Sequence, residues 1–124
     1  MKQVLLVLML FLMAFSCKDN DATPLVCGVK DPANDLEWLK AVIENTKKDG
    51  SAEFRKYQYV MQATLDGQTI FFQSNCCPMC NTYVLVWDCS GTRIDNKMVF
   101  VEAAGRLTDQ KVVWKPEDSV CSFM

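Results

Sequence analysis

Residues 57–72 read YQYVMQATLDGQTIFF, and this stretch decides the fold of the chain. From Phe54 to Leu65 apolar and polar residues alternate, which is the two-residue period of a half-buried β-strand. Asp66-Gly67 comes next, and both central residues of a type I′ turn need a positive φ, which Asp and Gly tolerate. The stretch therefore predicts an antiparallel hairpin with its turn at these two residues.

The two-residue turn also predicts how the two strands pair, because loop length sets the register of a hairpin. In that register apolar residues of both strands meet on one face, an agreement that the turn alone does not require. The expected cross-strand pairs are Leu65 with Gln68, Ala63 with Ile70 and Met61 with Phe72.

A helix is predicted ahead of the hairpin. Asn34-Asp35-Leu36-Glu37 resembles a capping box in which Asn34 caps the helix and Glu37 is its third residue, so the helix should begin at Asp35. Gly50 suits the position just past its end. An apolar stripe makes the helix amphipathic. The stripe consists of Leu36, Leu39, Val42, Ile43 and Trp38, the last taken as a packing residue rather than a ligand-binding aromatic.

Strands are also predicted after the hairpin. One covers Tyr83–Asp88, and a second hairpin centred on Ser90-Gly91 would place Trp87 opposite Ile94. The sequence therefore predicts an α+β fold, in which one N-terminal helix packs on an antiparallel β-meander of about four to six strands, stapled by disulfides. Further strand candidates are Met98–Val101 and Val112–Trp114, while residues 101–107 fit a strand or a helical turn or two.

The composition excludes several classes of function. The chain has 124 residues, which is room for one domain. Its 13 Lys+Arg and 15 Asp+Glu give a net charge of −2, so the composition does not indicate the basic face that a nucleic-acid-binding protein requires. Histidine is absent, which excludes Ser–His and Cys–His catalytic pairs and imidazole metal sites. No nucleophile or phosphate-loop motif occurs, and Glu37 and Glu44 with Lys40 between them are typical of a solvated helix face. We expect no catalysis, no cofactor, no metal and no nucleic-acid partner.

The first sixteen residues are typical of an export signal. Lys2 precedes an apolar run of twelve residues, Val4–Phe15. A membrane-spanning helix needs roughly 20 apolar residues, whereas a signal-peptide apolar region has about 7–15. Residues 1–16 are therefore expected to be a signal peptide.

Ala14-Phe15-Ser16-Cys17 resembles the lipobox of bacterial lipoproteins. The resemblance implies that Cys17 carries a diacylglyceryl thioether, becomes the N-terminus on cleavage and is N-acylated, so that the partner of the chain is a membrane. Two or three acyl chains anchor a protein durably, since each buried methylene is worth about 0.8 kcal/mol. The alternative is cleavage at the same bond by the general signal peptidase, which would release a soluble protein.

Residues 17–26 are expected to form a polar tether, followed by a single domain at 27–124. Lys18-Asp19-Asn20-Asp21 resembles the surface-export signal of lipoproteins from the Bacteroidetes group. This resemblance implies an outer-membrane lipoprotein that is displayed on the cell surface. The alternative location is the periplasmic face of the membrane, and the alternative role of the segment is a solvated tether without an export signal.

With Cys17 assigned to lipid, six cysteines remain, and an exported domain is expected to oxidise them. Adjacent Cys76 and Cys77 point to opposite faces of an extended chain, so they should bond to different partners. Cys27 and Cys121 are expected to close the domain, and Cys89 to pair within the central group. The disulfide candidates are Cys27, Cys76, Cys77, Cys80, Cys89 and Cys121.

Two further interpretations of the cysteines remain open. Cys77-Pro78-Met79-Cys80 resembles the CPxC motif of thiol–disulfide oxidoreductases, although a strand rather than a helix is predicted after it. The second is a zinc tetrathiolate, which a lone CxxC indicates only weakly. Its ligands would be Cys76, Cys77, Cys80 and Cys89.

Residues 27–94 resemble an uncharacterised family of small Bacteroidetes lipoproteins. The similarity lies in an early Leu-x-Trp-Leu helix, here residues 36–39, followed by adjacent cysteines and a (Y/W)DC-x-G hairpin, here residues 87–91. That family implies no activity. We therefore expect a non-catalytic binding or interaction module whose protein or small-molecule ligand the sequence does not identify. An exposed sheet face could serve it, supplied by Val60, Phe71, Val84 and Val86 if the helix covers the Tyr57/Tyr59 side. The alternative is that the helix packs on that face and that loops cover the other.

Overall fold

Four antiparallel strands and three short helices make up the part of the chain that the structure, a computed structural model, describes: residues 23–94 and 104–123. The predictions for residues 1–16, for most of the tether and for a strand at 98–101 lie outside these residues. The helices are α1 (Pro32–Asp35), α2 (Glu37–Thr46) and α3 (Ala52–Arg55), the strands are β1 (Gln58–Leu65), β2 (Gln68–Asn75), β3 (Leu85–Asp88) and β4 (Leu107–Trp114), and a 3-10 turn covers Ala104–Arg106.

The central hairpin is confirmed. Asp66 and Gly67 have φ values of 49° and 80°, as a type I′ turn requires. The three predicted pairs occur in the β1–β2 register. The first strand is shorter than predicted, because Ser51 caps α3 by accepting a hydrogen bond from the Phe54 backbone N–H (3.2 Å).

The predicted start and end of the main helix are wrong. Leu36 is extended (φ −92°, ψ 105°) and separates α1 from α2. The Asn34 side chain donates to the Asp31 carboxylate (2.7 Å) instead of capping, while the Asp31 backbone N–H donates to Asp35 (3.0 Å). The capping interaction therefore lies one turn earlier than predicted. Gly50 lies four residues past the end of α2, in the turn to α3.

The sheet is not a simple meander. Its strand order is β3-β2-β1-β4, so the fourth strand returns to pair with the first. Three hairpin-connected strands with the fourth beside the first form a Greek key. The predicted strand at residues 112–114 is the end of the longer β4, whose pairing with β1 is interrupted by two register shifts. Asp109, with a φ of 51°, lies at one of them.

Helix α2 packs on one face of the sheet. Its Leu39 and Ile43 form a buried cluster with Val60 of β1 and Phe71 of β2. The opposite face carries a second buried cluster made of Ala63, Ile70, Phe72 and Val86. The predicted exposed patch is therefore wrong, because Val60 and Phe71 are fully buried beneath the helix and Val86 is buried on the other side.

The six cysteines of the domain form three disulfides. Their Cα–Cα distances are 5.4, 5.8 and 5.3 Å, within the range that a disulfide requires. Adjacent Cys76 and Cys77 bond to different partners, as predicted. The expected Cys27–Cys121 bridge is wrong, as is the expectation that Cys89 pairs within the central group. The bridges are Cys27–Cys89, Cys76–Cys121 and Cys77–Cys80.

The β-hairpin accounts for this pairing. Cys76 follows β2, and its backbone N–H donates to the Tyr57 carbonyl (3.0 Å). The Val120 N–H donates to the carbonyl of neighbouring Lys56 (3.1 Å), which brings the C-terminal segment to the same edge. Cys121 is therefore held beside Cys76 and not beside the N-terminal turn that carries Cys27.

The three disulfides are expected to differ in their contribution to stability. Cys27–Cys89 spans 62 residues and Cys77–Cys80 only three. By loop entropy, replacing the first pair with alanine should lower the free energy of unfolding by about 4 kcal/mol, and replacing the second by about 2 kcal/mol or less. Urea denaturation of the two double variants measures the difference, and an equal or reversed order would contradict the assigned connectivity.

Candidate functional site

An open groove of about 430 Å³ lies between the C-terminal half of α2 and the β3 edge of the sheet. Small-molecule sites fall in a range of roughly 300–1,000 Å³. Helix α2 and the turn after it supply one wall, and β2, β3 and the residues before β3 supply the floor and the other wall. The lining residues are Val42, Asn45, Thr46, Lys48, Asp49, Gln73, Tyr83, Leu85 and Trp87.

The β-sheet register places the residues of the groove floor. Gln73 of β2 lies opposite Leu85 of β3, and Trp87 follows two residues later on the same face. On the helical wall, the Thr46 hydroxyl donates to the Val42 carbonyl one turn earlier (2.8 Å), which fixes its side chain within the helix. Regular elements on both sides therefore hold the groove.

Three buried side-chain amides lie on the same face, next to the groove. Gln58 and Asn75 are directly opposite each other at the end of the hairpin. The Gln73 side-chain N–H donates to the Gln58 oxygen (3.0 Å), and Asn75 accepts from the Cys77 backbone N–H (3.2 Å). The side-chain nitrogens of Gln58 and Asn75 are buried and lack a partner among the described residues. Gln73 is the member of this cluster that reaches the groove.

Tyr83 closes one end of the groove. Burial raises the pKa of its phenol, and the negative charge of Asp49 together with a hydrogen bond to that carboxylate raises it further. The Tyr83 phenol therefore lies beside the Asp49 carboxylate, so the loop before β3 approaches the turn after α2. Since Lys48 and Asp49 have opposite charges, the described residues of the lining carry no net charge.

The turn after β3 holds Trp87 in place. The Asp88 carboxylate accepts hydrogen bonds from the Ser90 N–H (2.8 Å), the Ser90 hydroxyl (2.6 Å) and the Thr92 N–H (3.0 Å). These bonds lower the pKa of Asp88, with the Ser90 hydroxyl as the largest cause. The predicted register is one residue off, because Trp87 pairs with Arg93 and not with Ile94. The reason is the three-residue loop, which has Gly91 at a φ of 80°.

Trp38 of α2 packs against this turn. Its indole N–H donates to the Cys89 carbonyl (3.3 Å), and its ring lies edge-on to Phe71, with centroids 5.5 Å apart. The ring of Trp87 is 6.4 Å away. A Cβ added to Gly91 would lie 2.6 Å from Trp38. The half-buried Trp38 is therefore a packing residue, as the sequence predicts. Its contacts fix α2, one wall of the groove, against the turn after β3.

The CPMC segment forms an exposed turn between β2 and β3. Cys77 and Cys80 are bonded to each other, and Met79 between them is 94% exposed. In thiol–disulfide oxidoreductases a helix N-terminus lowers the pKa of the first thiol. Residues 77–84 contain no helix, so the geometry adds no support to the oxidoreductase interpretation.

The structure separates the predicted site residues. All four cysteines of the possible zinc site are engaged in disulfides, and the described residues contain no cluster of three or more Cys, Asp or Glu that could hold a metal ion. Cys17 lies outside the described residues. The groove residues Gln73, Tyr83 and Asn45 were not predicted, because only the sheet register and the packing of α2 bring them together.

No protein-family model matches the chain, and neither does any curated protein or solved structure. Within residues 23–94 and 104–123, no helix has the length and apolar character needed to cross a membrane.

Replacing Gly91 with alanine is expected to destabilise the fold through the Trp38 contact. Gly28 is the matched control, since its φ of 82° is equally unfavourable for alanine but nothing lies within 4 Å of an added Cβ. Gly28→Ala should cost about 1–3 kcal/mol of backbone strain. Gly91→Ala should exceed that loss by about 1–3 kcal/mol because the ring must move. Urea denaturation measures both, and equal losses would show that Trp38 does not restrict the turn.

Replacing Asp88 with asparagine is expected to make the stability of the protein less dependent on pH. The pKa of Asp88 is lowered in the fold, so its contribution is present above its unfolded pKa and is lost as pH falls through the folded pKa. Asp88→Asn should therefore lower the melting temperature near about pH 7 and have little effect near about pH 2. Exposed Asp118, replaced in the same way, is the control. A difference that persists in acid would rule out a role for the charge.

Proposed function

We propose that the chain is a lipid-anchored lipoprotein of the bacterial outer membrane, with a disulfide-stapled α+β domain that serves as a non-catalytic binding module. In this proposal residues 1–16 are the signal peptide, Cys17 carries the acyl chains and residues 17–26 tether the domain. The domain is displayed on the cell surface, with the periplasmic face as the alternative.

The cysteine pairing is the observation that supports this proposal most directly. The six cysteines at positions 27 to 121 form three pairs with one another. Cys17 is the seventh and has no cysteine left to bond with. Three disulfides suit an exported chain, and an odd cysteine directly after small residues and an apolar run suits acylation.

The tether limits how far the domain can lie from the membrane. Cys27, the first disulfide-bonded residue of the domain, lies ten positions after Cys17, with nine residues between them. An extended chain covers at most about 3.5 Å per residue, so Cys27 lies within about 35 Å of the lipid surface. The Cys27–Cys89 bridge joins this end of the tether directly to the turn after β3, the strand that carries Trp87. In this proposal the groove is thus presented close to the membrane.

Replacing Cys17 with alanine is expected to abolish membrane association while leaving the domain folded. The variant should lose incorporation of labelled fatty acid and move from the membrane to the soluble fraction, because no other residue would carry acyl chains. Ser16→Ala is the control, since it retains a small residue at the cleavage site and should stay membrane-bound.

Continued sedimentation of the Cys17→Ala variant with membranes, without fatty-acid labelling of the parent protein, would overturn the proposal. Protease treatment of intact cells distinguishes the two faces of the membrane. Surface display predicts digestion of the domain in whole cells, whereas the periplasmic alternative predicts digestion only after the outer membrane is opened.

A further inference from the structure

A cluster of buried amides borders the groove, and Gln73 connects this cluster to the groove floor. Gln58, Gln73 and Asn75 are 1%, 6% and 4% exposed, respectively, on the face of the sheet that α2 covers. A buried amide costs free energy unless its donors and acceptors are bonded, and two side-chain nitrogens of this cluster have no partner among the described residues. Apolar residues at these positions would pack without that cost. Gln73 is the one of these three amides that lines the groove, so it is the one that a polar ligand in the groove could reach.

The walls of the groove combine aromatic rings with polar groups. Trp87 and Tyr83 supply half-buried aromatic rings, Leu85 an aliphatic surface, and Asn45 an exposed amide on the rim. An amide both donates and accepts hydrogen bonds, which matches hydroxyl groups in either role. Aromatic rings pack against C–H surfaces. A ligand with apolar faces and hydroxyl groups around its edge would satisfy both features.

The charge of the groove argues against an ionic ligand. Among the residues that the structure describes, the charged residues that line it are Lys48 and Asp49, which have opposite signs. The Asp49 carboxylate also lies beside the Tyr83 phenol, whose pKa it raises. Each of these two charges therefore has an opposite charge beside it, so neither is left to attract an ionic ligand. A neutral ligand does not depend on such a charge.

We propose that this groove binds a neutral saccharide, with a sugar ring packed against Trp87 and its hydroxyl groups bonded by Gln73 and Asn45. The inference rests on the proposed function of the chain as a binding module and names the class of its ligand. A volume of about 430 Å³ accommodates a short oligosaccharide rather than a single small ion.

Titration with four neutral trisaccharides tests the inference. The probes are maltotriose, mannotriose, xylotriose and triacetylchitotriose, added to the natural protein, purified from whichever cell fraction holds it, in a zwitterionic detergent that contains no sugar. We expect at least one to bind saturably with a dissociation constant of about 1 mM or tighter. In heteronuclear NMR spectra, the Trp87 indole and the side-chain amides of Gln73 and Asn45 should shift, while the Trp114 indole should not.

Two asparagine variants locate the binding site. Asn45 lies on an exposed position of α2 where alanine favours the helix, so Asn45→Ala should fold normally and weaken binding roughly five- to tenfold. Asn81 is exposed in the loop before β3 and does not line the groove, so Asn81→Ala should bind as the parent does.

Two results would overturn the inference. One is the absence of binding by all four probes up to about 10 mM, and the other is binding that Asn45→Ala leaves unchanged. Neither result affects the membrane anchor, which fatty-acid labelling at Cys17 measures separately. Conversely, if Cys17 proves not to be acylated, the result expected in the saccharide titration does not change.

Discussion

The contact between the Trp38 indole and the turn after β3 holds the two layers of this protein together. Trp38 belongs to α2, yet it donates to the Cys89 carbonyl, packs edge-on against Phe71 and leaves no room for a side chain at Gly91. The disulfide at Cys89 adds the N-terminal turn to the same point. Helix α2, the sheet and the N-terminal turn of the domain are therefore joined around the Trp38 ring.

The position of the groove follows from this contact. With α2 fixed at Trp38 near its start, its C-terminal half lies alongside the β3 edge, and the gap between them is the groove. Tyr83 and Asp49 join the two walls again at the far end. A domain of this size buries a modest share of its surface, so cross-links and aromatic contacts of this kind contribute substantially to a stable site.

The sequence predicts the local features of the fold better than the distant ones. The hairpin at Asp66-Gly67 is correct in turn and register, because a two-residue turn and a strict alternation both act over short distances. The cysteine partners were partly wrong, because Cys121 is brought to Cys76 by backbone bonds of residues 56, 57 and 120 that no pattern reveals. Strand β4 was only partly predicted, since Asp109 and two register shifts interrupt its alternation. The predicted helix start is wrong because a short helix begins at Pro32, before the position that the Asn34 pattern indicates, and extended Leu36 then interrupts it.

Within the candidate site, the sequence identified the cysteines and the packing role of Trp38 but not the groove. Gln73 and Asn45 are ordinary polar residues in the sequence, and only tertiary packing places them together.

The proposed lipid anchor requires that the domain pairs six cysteines internally and leaves Cys17 for acylation. An intact mass spectrum of the natural protein, recorded without reductant, tests it most directly. We expect a chain that begins at acylated Cys17 and has six hydrogen atoms fewer than the fully reduced chain, two for each of its three disulfides. A chain with an unmodified Cys17, or with free thiols in the domain, would contradict it.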